Sequence, residues 1–230
     1  MKNFIRYEDV KPQNFELFRD DSGPVRYYID KAGNKYKSVT SFVGQFSSGK
    51  EDIKKWQEAV GEVEAARVLK AAGTRGTAIH LACENLLLNK DWKDISMFYK
   101  QDFLTMKKHL EEHVDKIFVL EHQMYSKKLG LAGTVDCIAE YDGKICIIDF
   151  KTSSKLKYKE QINSYFLQCA AYAIMVWERY GIKISELVIL MVVEGGAKIE
   201  VFKEPMVKWS KELLKLTDIA NKELKCEITI

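Results

Sequence analysis

The spacing of apolar residues predicts helices in the first half of the chain and most of the strands in the second half. Apolar positions at three- and four-residue steps predict helices over 51–72, 74–88, 94–114, 159–180 and 206–223. Apolar runs bounded by turn residues predict strands over 117–125, 131–141, 144–151, 186–193 and 197–203. Gly73 and Thr74 are predicted to end the first long helix and to begin the second.

The order of these elements predicts a mixed α/β or α+β domain in which a central sheet is flanked by helices. We expect one domain over residues 1–230, because no linker or repeat interrupts the sequence. Within it we expect an N-terminal hairpin region over 1–37 and a helical region over 38–115, which starts with a short helix through Gln45. Residues 116–230 should form the sheet core with its flanking helices.

The segment 131–151 is a predicted hairpin, and its Asp-Gly pair at 142–143 is a strong signal for a type I′ turn. Counting back equally along both strands from that turn brings Asp136 opposite Asp149 on one side of the ribbon. Lys151 lies two residues beyond Asp149 and therefore points to the same side. The sequence thus predicts two acids and a lysine side by side.

Two opposed carboxylates repel each other unless a positive charge lies between them. Carboxylate oxygens at this spacing suit Mg²⁺ or Mn²⁺, and such an ion can activate water and stabilise charge on a phosphate. The alternative is a solvated sheet face on which Lys151 pairs with one acid. Three isoleucines, Ile138, Ile145 and Ile147, share that face. They favour a covered site, and the site then suits phosphodiester hydrolysis.

The same residues resemble a known family. Asp136, followed after an apolar strand by Asp149-Phe150-Lys151, resembles the PD-(D/E)xK nuclease superfamily. The wider pattern is similar to its RecB-like exonuclease branch, which includes phage and mitochondrial exonucleases. The further matching segments are Ser38-Val39-Thr40, Gly76-Thr77-Ala78-Ile79-His80 with Glu84, Ala132-Gly133-Thr134-Val135-Asp136, and Gln168 with Tyr172. They extend over about residues 38–172, and the resemblance implies a restriction-endonuclease-like core.

His80 and Glu84 are four residues apart, so a helix places them on one face. The resemblance implies that His80 binds the metal together with Asp136 and Asp149. It also implies that Glu84 is the first acidic residue of the catalytic set, although Glu84 could instead orient the histidine or a water. The alternative is a histidine satisfied within the core beside a surface glutamate.

Residues 74–77 open the second predicted helix, where free backbone N–H groups could hold a phosphate. Arg75 would add a bidentate donor to that phosphate. An ordinary helix cap with a solvated arginine is the alternative.

Two further groups are candidate DNA contacts. The resemblance implies that Gln168 and Tyr172 line the active site and hold DNA near the scissile phosphate. The loop after the catalytic lysine combines small hydroxyls with lysines, which suits a nucleic-acid backbone. Its candidate contacts are Thr152, Ser153, Lys155 and Lys157. Lys127 and Lys128 form a second basic segment, and a solvated charged loop is the alternative for both.

Composition narrows the class of protein. The net charge of +3 does not by itself indicate a nucleic-acid partner, so any basic surface must be local. The five cysteines form no CxxC motif, and we expect reduced, buried thiols in a cytoplasmic protein.

Relatives with an iron–sulfur cluster use four cysteines, one before the nuclease core and three after it. Here no cysteine precedes Cys83 and Cys226 alone lies near the C-terminus, so no cluster is expected. No apolar run is long enough to span a membrane.

These observations lead us to expect a Mg²⁺-dependent deoxyribonuclease that Mn²⁺ also supports. The resemblance implies an exonuclease that prefers single-stranded DNA ends, with Lys151 positioning or helping to activate the attacking water. A structure-specific or nicking endonuclease on the same fold is the first alternative. A catalytically silent DNA-binding module is the second.

Overall fold

The computed structural model describes residues 2–7, 12–46, 50–196 and 198–228, with the backbone alone for 50–52 and 221–228. Its helices are α1 (Val39–Val43), α2 (Lys50–Val60), α3 (Glu62–Leu87), α4 (Lys100–His113), α5 (Asn163–Tyr180) and α6 (Met206–Ile228). Its strands are β1 (Ile5–Arg6), β2 (Phe18–Asp20), β3 (Tyr27–Ile29), β4 (Lys35–Ser38), β5 (Val114–Ser126), β6 (Leu131–Tyr141), β7 (Lys144–Ser153), β8 (Glu186–Val193) and β9 (Ile199–Pro205). Among the described helices, none is both long and apolar enough to cross a bilayer.

The nine strands of this part of the chain form one mixed sheet around β6. Strand β6 is antiparallel to β5 and β7 and parallel to β4. Strand β7 continues the sheet through parallel β8 and antiparallel β9, while β4 continues it through antiparallel β3 and β2. The short strand β1 runs parallel to β5.

Helices cover both faces of this sheet, because successive strand residues alternate between two apolar cores. Ile138 and Ile147 join a core built with α1, α5 and α6. Cys137 and Ile148, one position along on each strand, join a second core built with α3 and α4. The predicted central mixed sheet with flanking helices is therefore confirmed.

The helical region differs from the prediction at two boundaries. The helix predicted over 94–114 begins later, at Lys100, and the break between the two long helices lies elsewhere. The break between the two long helices lies at Gly61, where φ is +84°, and not at Gly73. Gly73 and Thr74 instead lie inside α3, where the hydroxyl of Thr74 donates a hydrogen bond to the carbonyl of Lys70 at 3.0 Å. A helix tolerates an internal glycine at a cost of about 1 kcal/mol when its other contacts compensate.

Within the described residues, strand β6 lacks a pairing partner along part of one edge, and the candidate site lies at this place. Strand β6 pairs with β4 at Leu131 and Ala132, and with β7 from Cys137 to Tyr141. Residues 133–136 of β6 therefore have no ladder partner on the side that faces β4 and β7 in the described sheet. We call this gap the sheet opening.

Candidate active site

The hairpin that carries the two acids has the predicted register. Both turn residues, Asp142 and Gly143, have positive φ, as a type I′ turn requires, and the pairing runs unbroken to Cys137 and Ile148. Asp136 and Asp149 lie one step beyond this last pair, where the ladder ends. Asp136 takes the place of a backbone partner there, since its Oδ2 accepts a hydrogen bond of 2.9 Å from the backbone N–H of Phe150.

His80 on α3 also contacts Phe150. Its Nε2 donates a hydrogen bond of 2.7 Å to the carbonyl of Phe150. Because a carbonyl can only accept, Nε2 carries the proton and Nδ1 of the neutral ring keeps its lone pair. That Nδ1 lies 3.6 Å from Asp136 Oδ2 and 3.9 Å from Glu121 Oε1.

Glu121 is a candidate site residue that was not predicted from the sequence. It lies in the middle of β5 with φ of +44°, a left-handed conformation that costs a glutamate about 1–3 kcal/mol. Its neighbours Leu120 and His122 pair with Cys137 and Val135, so the strand register sets Glu121 beside Asp136. The sequence did contain a sign of this role. Glu121 is an acid inside a largely apolar strand, as Asp136 and Asp149 are in the hairpin.

His80, Glu121 and Asp136 form a candidate metal site. One ligand atom from each residue lies within 4.8 Å of the others. Two carboxylates and one imidazole are a donor set that suits Mn²⁺ and is acceptable to Mg²⁺. Burial alone would lower the pKa of His80, but the interaction with Glu121 and the charge of Asp136 outweigh it and raise that pKa above its ordinary value.

Asp149 lies next to this cluster and pairs with Lys151. Its Oδ1 accepts a hydrogen bond of 3.0 Å from the amide of Gln168, and its Oδ2 lies 2.6 Å from Lys151 Nζ. The buried Oδ2 receives no hydrogen bond of good geometry in the described residues. Burial raises the pKa of Asp149 to about 6; the ammonium opposes this shift and the charge of Asp136 adds to it. A divalent cation beside Asp136 would relieve this excess of negative charge, so the residues fit the expected metal.

Lys151 is held as an ammonium ion. Burial would lower its pKa, but the charges of Asp149 and Asp136 raise the pKa above its ordinary value. Its Nζ lies 5.0 Å from the ring centroid of Tyr165, and Nζ of Lys157 lies 5.7 Å from the same centroid. The Tyr165 ring therefore lies close to the ammonium groups of both Lys151 and Lys157.

Gln168 and Tyr172, the two predicted DNA contacts on α5, are both buried against the site. Gln168 holds Asp149, as described, and is 7% exposed. Tyr172 is 2% exposed and packs over Gly133 in the sheet opening. A methyl group on Gly133 would lie 2.5 Å from the hydroxyl of Tyr172, so the absence of a side chain at 133 makes room for the tyrosine.

The candidate DNA contacts in the following loop have different surroundings. Lys155 is exposed, while Lys157 and Thr152 are half-buried. Ser153 is buried, and its hydroxyl donates to the backbone carbonyl of Lys155 at 2.6 Å. The two lysines and Thr152 therefore face solvent at least in part, whereas the Ser153 hydroxyl holds the loop.

A groove of about 560 Å³ leads to the metal site along α3. Its lining residues are Arg19, Gly76, Thr77, His80, Leu81, Glu84 and Glu121. Glu84 is half-buried in this groove, one helical turn from His80, and is not part of the three-residue cluster. The structure therefore places Glu84 beside the site.

The predicted phosphate cradle at residues 74–77 is wrong. These residues lie inside α3, so their backbone N–H groups are not the free groups of a helix end. Arg75 is buried, and its Nε lies 2.6 Å from Asp102 Oδ2 on α4. Its other nitrogens donate to the carbonyls of Ser153 and Val192. Arg75 therefore joins α3 and α4 to the ends of β7 and β8.

Four cysteines have described side chains, and all four are buried and unpaired: Cys83, Cys137, Cys146 and Cys169. For these residues the predicted buried thiols are confirmed. The side chain of Cys226 lies outside the described residues.

Comparison with known proteins agrees with this geometry. The chain matches the PD-(D/E)XK nuclease superfamily over residues 42–222. Two similar proteins are the mitochondrial genome maintenance exonuclease 1 of Xenopus tropicalis, 28% identical over 228 residues, and that of Homo sapiens, 26% identical over 222 residues. These alignments cover 93% and 89% of this chain but 65% and 63% of the relatives, so the chain spans less than two thirds of their length.

A solved structure from Eubacterium rectale aligns with a TM-score of 0.47 and 14% identity, over 66% of this chain and 65% of its own. Because this TM-score is below 0.5, nothing about this chain is concluded from the alignment. The superfamily match covers most of the chain, and it includes the acids, the lysine and the histidine of the site. The chain belongs to the PD-(D/E)XK nuclease superfamily.

Proposed function

We propose that this protein is a metal-dependent exonuclease that hydrolyses phosphodiester bonds in DNA and prefers single-stranded ends. The observation that carries the proposal is the cluster of His80, Glu121 and Asp136 directly beside the Asp149–Lys151 pair. The names of the two relatives, which describe an exonuclease that maintains a genome, favour DNA over RNA. A cytoplasmic location is a sequence-based prediction only.

In this proposal His80, Asp136 and Glu121 hold Mg²⁺ or Mn²⁺, with Asp149 adjacent. When bound, the ion lowers the pKa of water and stabilises charge on the phosphate. Lys151 stays protonated, so it acts by donating hydrogen bonds to the water and to a phosphate oxygen, and not as a general base. Gln168 keeps Asp149 oriented, and Tyr172 closes the sheet opening beside them.

The DNA strand would approach along the groove beside α3 and over the loop after Lys151. Lys155 and Lys157 are the loop cations that can meet its phosphates, and Thr152 offers a hydroxyl. Glu84 lines the groove, where it can orient a water near His80. Arg75 and Ser153 are left out of the DNA contacts because both are engaged inside the protein.

The test is digestion of three single-stranded substrates with Mg²⁺: linear and end-labelled, linear with blocked ends, and circular. We expect the free-ended strand to be degraded and the circle to survive. Lys151→Ala should slow degradation by about 10²–10³. The control Lys144→Ala, which changes a lysine at the turn end of the same strand, should degrade the substrate at the wild-type rate. Degradation of circles would favour the endonuclease alternative. Absence of hydrolysis with every divalent ion would favour the binding module.

A further inference from the structure

A concave surface that combines lysines with an exposed tryptophan lies outside the candidate active site. We call it the Trp177 patch. It encloses about 440 Å³ at the C-terminal end of α5 and is lined by Lys127, Lys128, Trp177, Glu178, Arg179 and Gly181.

The chemistry of the Trp177 patch is that of a single-strand binding platform. The indole of Trp177 is 51% exposed, and Lys128 Nζ lies 5.9 Å from its ring centroid. Neither Lys127 nor Lys128 contacts a carboxylate within the described residues, so both charges are free to meet an anion. Aromatic faces that stack bases, beside cations that follow a backbone, are the common means of binding single strands.

Arg179, two residues after Trp177, anchors the end of α5 to β5. The guanidinium of Arg179 donates to the carbonyl of Tyr125 at 3.1 Å and lies 4.0 Å from the ring centroid of the same residue. This contact ties the end of α5 to the end of β5, immediately before the lysines. The platform and the lysines therefore keep a fixed relative position.

Two elements connect the patch to the active site. Helix α5 carries Gln168 and Tyr172 as well as Trp177. Trp177 lies about 14 Å along the axis from Gln168 and about half a turn around the helix, so its indole is on the side of α5 opposite the Gln168 amide. The loop with Lys127 and Lys128 leads directly into β6, which carries Asp136. A strand that leaves the active site would therefore reach the patch by passing around the C-terminal end of α5.

We propose that the Trp177 patch binds a segment of single-stranded DNA several nucleotides away from the scissile bond. One base stacks on Trp177, and neighbouring phosphates meet Lys127 and Lys128. Because bases in a duplex are stacked on each other, the patch discriminates in favour of single strands. The inference rests on the proposed function for its substrate, but binding can be measured without hydrolysis.

The test compares Trp177→Ala with Trp177→Phe, which keeps a stacking ring. Hydrolysis of a trinucleotide, which is too short to reach the patch, is compared with that of a 20-nucleotide single strand. In Trp177→Ala we expect the ratio of the KM for the long strand to the KM for the short one to rise about tenfold. Trp177→Phe should keep most of the wild-type ratio. An equal loss on both substrates, or no change in the ratio, would overturn the proposal.

A second measurement separates this inference from the proposed function. Binding of the same 20-mer is followed by fluorescence anisotropy in EDTA, where no hydrolysis occurs. Lys127→Ala/Lys128→Ala should lower the slope of log affinity against log salt by about 1.4, whereas the exposed Lys211→Ala control on α6 should not. A lowered slope without nuclease activity would support the patch and refute the exonuclease. An unchanged slope in an active enzyme would refute the patch alone.

Discussion

Gly133 offers a sharp test of how the site is built, because its missing side chain makes room for Tyr172. In Gly133→Ala the new methyl group would lie 2.5 Å from the Tyr172 hydroxyl and 3.2 Å from two ring carbons. An ordinary contact needs at least 3.4 Å, and Tyr172 is 2% exposed and enclosed by the core. The ring must therefore shift within a closely packed environment.

Overpacking of this kind costs about 1–3 kcal/mol. We therefore expect Gly133→Ala to lower the free energy of unfolding by that amount and to reduce hydrolysis, because Tyr172 leaves its place beside Asp136. Tyr172→Phe removes the atom with the shortest contact. The double variant should therefore recover most of the lost stability, as a positive coupling in a double-mutant cycle.

Urea unfolding followed by circular dichroism measures all four proteins of the cycle. Gly73→Ala is the matched control: Gly73 lies within α3 with no atom within 4 Å of the added methyl group. That change should raise stability by about 0.5–1 kcal/mol. If Gly133→Ala is as stable as the wild type, or if Tyr172→Phe brings no recovery, Tyr172 does not rest over Gly133 and the reasoning fails.

Three further predictions concern charged groups. Lys151→Ala should lower kcat by about 10²–10³ in the hydrolysis assay, because the donor to the phosphate is lost. Tyr165→Leu should lower kcat/KM several-fold and Tyr165→Phe should not, since the ring face that holds Lys151 remains in phenylalanine. Arg75→Met should cost about 3–5 kcal/mol in urea unfolding, because Asp102 is left buried without its partner, and Arg75→Met/Asp102→Leu should recover much of it. Equal stability of wild type and Arg75→Met would contradict the last prediction.

The hairpin could be predicted because its register depends on residues that are close together in the sequence. The Asp-Gly turn at 142–143 sets the register of its own strands, so the neighbourhood of Asp136 and Asp149 followed from counting. The end of the ladder at Cys137 did not follow. It depends on where β4 and β7 each pair with β6, and β4 and β7 lie more than 100 residues apart in the sequence.

The helix boundary and two site contacts depend on long-range structure. Gly73-Thr74 has the local signal of a helix end, but α3 continues through it because Arg75 is anchored to Asp102. Glu121 reaches the site through a left-handed backbone conformation that no residue pattern announces. The hydrogen bond from Gln168 to Asp149 likewise depends on how α5 packs on β7.

The proposed function depends most on the metal site formed by His80, Glu121 and Asp136. Its most direct test is a Mn²⁺ titration followed by electron paramagnetic resonance, comparing the wild type with Glu121→Gln and Asp136→Asn. We expect each substitution to weaken Mn²⁺ binding at least tenfold, because each removes an anionic ligand. Binding should also weaken as the pH falls through the raised pKa of His80, since the protonated ring has no free lone pair. Equal Mn²⁺ affinity in all three proteins would contradict the proposed metal site.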